Sequence, residues 1–100
     1  MNYRTWPLEW LKDETHSLAY WIESQRDWIN WIDGVLRYGM KTNTEYAPDS
    51  YFGKMGFKNT EELLENHFLP EAHNQIREYE KQIREIREII IFREMNEVEK

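Results

Sequence analysis

Two runs of mostly apolar residues, each recurring in alternating steps of three and four, constrain this chain more than any other feature. The first is Leu8, Leu11, Thr15, Leu18, Ile22, Gln25, Ile29, Ile32 and Leu36. The second is Leu69, Ala72, Ile76, Tyr79, Ile83, Ile86 and Ile90. Such steps keep side chains on one side of an α-helix, whereas a half-buried strand would alternate by two. Each run predicts a long amphipathic helix, the first over about 7–38 and the second over about 70–96. The expected fold is all-α: a single domain over 1–100, a helical bundle with two long antiparallel helices and one or two short middle helices.

Local signals set the helix ends. Pro7 suits a first helical turn, where its missing N–H costs nothing, with Thr5 or Trp6 as the cap. Gly39 is a C′ residue for the same helix. Gly34 lies inside the pattern, so a stop at Asp33 stays open. Residues 40–48 have no period and read as loop. Asp49 or Ser50 caps a short turn reaching Lys54 and stopped at Gly56. Asn59 with Glu62 three residues on is a capping box, opening a helix with Leu63, Leu64 and Phe68. Pro70 then breaks or kinks that helix and starts the next.

The lengths bear on association. At 1.5 Å per residue the long helices run about 48 and 40 Å, more than the middle elements can cover. Trp21, Trp28 and Val35 beside the first stripe, and Ile89, Ile91 and Phe92 beside the second, add apolar flank. At least one of Ile91 and Phe92 must leave the main stripe. Either the middle segment folds as two short helices laid end to end and completes the bundle, or a second copy supplies the cover; the added flank favours a homodimer, with Trp28, Ile83, Ile90, Ile91 and Phe92 as self-association residues.

Charge and composition exclude several function classes. The net charge is −6, spread evenly over the two halves, with no basic stripe or tail. Direct nucleic-acid binding and polybasic membrane contact are not expected. Without Cys there is no disulfide, thiolate nucleophile or cysteine zinc site. The N-terminus lacks a secretory h-region, and the longest apolar run, Ile89–Phe92, is far too short to span a bilayer; the expected location is cytoplasmic.

Catalytic and metal chemistry find little support in the spacing. His67 and His73 are six apart with Pro70 between, and His16 falls on the outward side of the first helix. Neither separation gives the i, i+3 or i, i+4 ligand pair of a helical metal site. Glu61, Glu62 and Glu65 sit at a helix start, where they answer its partial positive charge. No nucleophile elbow or Gly-rich phosphate loop occurs. The expectation is no enzyme activity, no catalytic residues, no metal and no cofactor.

Ser50-Tyr51-Phe52-Gly53-Lys54-Met55, followed by His73 and Arg77, resembles the motif of the chemoreceptor zinc-binding family. In that family the motif reads Cys-x-aromatic/Leu-Gly-Lys-Trp, with a later His-x3-His pair. Here Ser50 stands at the Cys position, Met55 at the Trp position and Arg77 at the second His; His73 matches, and His16 would be the fourth ligand. The resemblance covers about residues 45–77. It implies a related bundle topology without zinc binding, because Ser and Arg do not replace a thiolate and an imidazole.

The aromatic residues carry the remaining signal. All five Trp fall in the first third of the chain. Trp21 and Trp28 flank the first stripe; Trp10 and Trp31 fall on the side turned from it. Those two either pack under the 40–58 loop or stand exposed as anchors for a partner, together with Tyr46, Tyr51 and Phe52. The expected function is a non-enzymatic protein-interaction module. It is a small acidic inhibitor or adaptor docking on another protein, of the kind phages use to block bacterial machinery. The alternatives are a sensor-type bundle binding a small ligand or metal, and an acidic nucleic-acid mimic.

Overall fold

The computed structural model describes residues 2–39 and 43–98. A 3-10 turn, Tyr3–Thr5, precedes α1 (Leu8–Tyr38). After the connecting segment come α2 (Tyr51–Lys54), α3 (Thr60–Leu63), a π-helical turn (Leu64–Phe68) and α4 (Leu69–Val98). The described residues hold no strand, only an isolated antiparallel bridge between Glu45 and Asn59. The fold class is thus all-α, a helical bundle built on two long helices. Residues 40–42, the start of the expected loop, lie outside the described residues.

The contacts gather into two compact units, residues 1–24 with 75–100 and residues 25–74. In the first unit, Leu11, Leu18 and Ile22 of α1 meet Ile83 and Ile86 of α4, with Tyr3 joining from the N-terminal turn. The helices run antiparallel here: Lys12, early in α1, pairs with Glu94, late in α4, at 3.3 Å. In the second unit the buried side chains are Ile29 and Ile32 of α1, Leu63 and Leu64, and Ala72 of α4. Every position of both predicted stripes is buried or half-buried.

The ends of α1 follow local chemistry, with one correction. The Leu11 N–H donates to the Pro7 carbonyl, so Pro7 stands just outside the helix. Neither Thr5 nor Trp6 caps it: Thr5 Oγ1 donates to the Asn2 carbonyl, and Trp6 closes the 3-10 turn. At the other end the helix passes Asp33 and Gly34 and stops at Gly39. That residue takes a φ of 90°, open to glycine without strain, and its N–H donates to the Val35 carbonyl.

Ser50 caps α2, accepting from the Gly53 N–H at 3.1 Å. Asn59 caps α3, accepting from the Glu62 N–H at 2.9 Å; the Glu62 carboxylate reaches back to the N–H of Lys58. This is the expected capping box shifted by one residue on its return arm. The loop is tied alongside the start of α3, with Tyr46 N–H on the Lys58 carbonyl and Thr60 N–H on the Thr44 carbonyl.

Of the break or kink that the sequence allowed at Pro70 there is no break, and Pro70 stands in the first turn of α4 as its sequence context indicated. Helical backbone continues from Leu63 through Leu69 into α4, and the π turn directly before the proline absorbs it. A proline leaves the carbonyl four residues back without its donor and crowds it. Within the π turn the Leu69 N–H reaches back five residues to the Leu64 carbonyl, widening the helix where the ring enters.

Candidate interaction surfaces

In the second unit the aromatic residues form a chain of rings. Trp28 and Trp31, three apart on α1, lie face to face with centroids 5.2 Å apart and planes 6° from parallel. Trp28 also takes the edge of Phe68 at 6.1 Å. Phe68 meets His67, and His67 meets Phe57 at 5.6 Å. The π turn holds His67 and Phe68, so two consecutive residues reach different ring neighbours. His67 Nε2 also lies 3.4 Å from the Glu71 carboxylate, one helical turn on.

The Trp pair is not sealed off. Trp28 is 38% and Trp31 53% exposed. Offset or parallel indole stacking fixes both rings at little conformational cost and leaves a rigid apolar face in water. Tyr46, Phe52 and Tyr51 form a separate cluster in the same unit, Tyr46 and Phe52 at 5.3 Å and Tyr51 and Phe52 at 5.2 Å. Tyr46 is half-buried, its hydroxyl sharing a hydrogen bond with Thr60 Oγ1, while Tyr51 stands in solvent.

The first unit holds the other surface. Trp10 is exposed and touches the edge of Trp6, which in turn packs on Tyr3 at 5.0 Å. Tyr3 is buried, and its hydroxyl donates to Gln82 Oε1 at 3.2 Å. Burial, then the carboxylates of Glu14 and Glu85, raise its pKa above the usual tyrosine value of 10.0. Arg93 of α4 donates both terminal nitrogens to backbone, one to the Trp6 carbonyl and one to the Arg4 carbonyl. These bonds fasten the N-terminal turn against α4.

Between that turn and α4 lies a cleft of about 670 Å³. Asn2, Tyr3 and Arg4 line one side; Glu85, Glu88, Ile89, Phe92 and Arg93 line the other. Ile91, Phe92 and Met95, on the following stretch of α4, are 57%, 66% and 60% exposed. Both members of the expected Ile91–Phe92 departure from the stripe therefore face solvent. Two residues expected to pair copies lie elsewhere: Ile83 is buried in the core of its own chain, and Ile90 is half-buried against that core. Both belong to the a/d stripe, and the stripe is consumed by the antiparallel partner helix.

Sequence reasoning missed Tyr3, Arg93, His67 and Phe68 as surface-building residues. A buried N-terminal tyrosine and an arginine capping carbonyls 87 and 89 residues away leave no local signal. At the positions of the zinc-family motif, Ser50 serves as a helix cap, and His73, like His16, is exposed. Among the described residues no group of three or more His, Asp or Glu side chains gathers as a metal ion requires. No described helix is long and apolar enough to cross a membrane. Comparison with protein-family models, with curated proteins and with solved structures finds no match to this chain.

Proposed function

We propose that this protein is a non-enzymatic interaction module that docks on another protein through the aromatic face of its second unit and pairs with a second copy through its first. The observation that carries the docking half is the stacked, half-exposed Trp28–Trp31 pair. Large rigid aromatics held at a surface are the usual anchors of protein interfaces, because their burial on binding gains area without freezing many rotamers. Phe68 packs on Trp28 with its ring nearly perpendicular, which holds the pair in place.

The acidic character of the chain selects among partners. With a net charge of −6 it approaches basic proteins faster and acidic ones more slowly. The role that fits is an adaptor or inhibitor occupying a basic, groove-bearing surface.

The test is affinity capture from the native host with quantitative mass spectrometry, run in parallel on the wild type and on Trp31→Ala. One protein retained by the wild type and lost from Trp31→Ala, with loss of Trp31 fluorescence quenching on binding, is the expected result. Retention of the same proteins by both chains defeats the docking reading.

A further inference from the structure

We infer that α1 and α4 form a socket for a small neutral phenol, and that Tyr3 fills it as a ligand tethered to the same chain by the N-terminal turn. The socket lies in the first unit, apart from the aromatic docking face, and does not depend on self-pairing.

The receiving surface is built without the turn. Tyr3 is 7% exposed and belongs to a packed cluster whose other buried members, Leu11, Leu18, Ile22, Ile83 and Ile86, all come from the two long helices. One polar atom meets the far end of the ring: Gln82 Oε1, on α4, accepts from the Tyr3 hydroxyl at 3.2 Å. Apolar surroundings with one placed acceptor select a phenol over a plain hydrocarbon ring, which would leave that acceptor unpaired. The Glu14 and Glu85 carboxylates oppose a negative charge on the ring, so the neutral phenol is favoured over a phenolate.

The tether is separable from the socket. Within the turn, the Arg4 N–H donates to Asn2 Oδ1, Thr5 Oγ1 to the Asn2 carbonyl and the Trp6 N–H to the Tyr3 carbonyl. Arg93 holds the turn to α4 through the Trp6 and Arg4 carbonyls. Trp6, in extended backbone at φ −78° and ψ 144°, then leads through Pro7 into α1. The turn is thus a short unit, bonded internally and latched by one arginine, which lifts about Trp6 and Pro7. The cleft of about 670 Å³ that Tyr3 lines gives a free ligand its approach.

A tethered ring competes with a free one. The apparent affinity of the wild type for a phenol is therefore reduced to the fraction of molecules with the turn lifted. Removing the ring removes the competitor, and an apolar cavity of ring size takes up a free aromatic molecule.

Calorimetric titration with phenol, and with benzene as the ring lacking a hydroxyl, tests the socket. Tyr3→Ala deletes the phenol group and no more. It binds one phenol per chain, about tenfold or more tighter than the wild type does and about fivefold or more tighter than it binds benzene. Adding Gln82→Leu to that variant abolishes the preference for phenol. Arg93→Leu, which keeps Tyr3 but loosens the latch, binds phenol with an affinity between wild type and Tyr3→Ala. If Tyr3→Ala is unfolded alone, phenol restores its helical circular dichroism and benzene does not. Equal phenol binding by wild type and Tyr3→Ala puts the ligand elsewhere and overturns the socket, as does a Tyr3→Ala chain that neither takes up phenol nor refolds with it. A phenol preference that survives Gln82→Leu overturns the role of the acceptor, and Arg93→Leu binding no tighter than wild type overturns the latch.

Discussion

The carbonyl oxygen of Ala47 occupies the place where a side chain on Gly53 would begin: a Cβ there would stand 1.9 Å from it. The turn capped by Ser50 closes back onto the end of the loop, since the Ser50 hydroxyl also donates to that carbonyl at 2.6 Å. Only a residue without a side chain lets the two strands of chain approach so closely.

Gly53→Ala is therefore expected to open the α2 turn and destabilise the second unit by about 2 kcal/mol. Thermal denaturation followed by circular dichroism measures the loss. Faster proteolysis within 47–57 locates it. An unchanged melting temperature would contradict the contact.

Gly34→Ala runs the other way. Nothing lies within 4 Å of a Cβ at this position, and the residue is inside a helix that continues to Tyr38. Alanine there stabilises by about 0.5–1 kcal/mol, raising the midpoint by several degrees. A lowered midpoint would show that the glycine serves a contact.

Tyr3 makes stability fall at high pH. Its pKa is raised in the folded chain by burial, Glu14 and Glu85, so the folded state favours the neutral phenol more than the unfolded state does. The resulting stabilisation is complete below the ordinary value of 10.0 and disappears as pH climbs from there through the folded pKa. Tyr3→Phe gives up the bond to Gln82, costing about 1 kcal/mol near neutrality, and loses less stability between neutral and strongly alkaline pH than the wild type. Denaturant midpoints at the two pH values supply the comparison; equal alkaline losses would rule out Tyr3 as their source.

Arg93→Leu removes the two donors that hold the Trp6 and Arg4 carbonyls. Loss of charge-assisted bonds of this kind costs about 2 kcal/mol, and the cost here falls on the N-terminal turn. Hydrogen exchange should quicken at residues 3–10 while the amides of 83–90 stay protected. Uniform exchange across the chain would mean the arginine is dispensable to that turn.

The shared helix face was legible in the sequence because helical period is a property of near neighbours. Leu11, Leu18, Ile22, Ile29 and Ile32 are buried as their spacing requires, and so are Ile83 and Ile86. Caps at Ser50 and Asn59 and the stop at Gly39 are equally local: each bond spans no more than four residues. Such interactions are set by the covalent chain itself.

What stands outside the stripe was decided only when distant segments met. The spacing put Ile83 and Ile91 alike among the contacts for a second copy; the packing of α1 on α4 buries Ile83 and leaves Ile91 in water. Proline chemistry called for a break or a kink at Pro70, and a single π turn carried the helix through, bringing His67 and Phe68 to separate ring partners. The rim of the cleft depends on an arginine reaching across 87 residues of sequence to a carbonyl. Periodicity names which side of a helix is apolar, but only the partner elements settle how much of that side, and of its flanks, water still reaches.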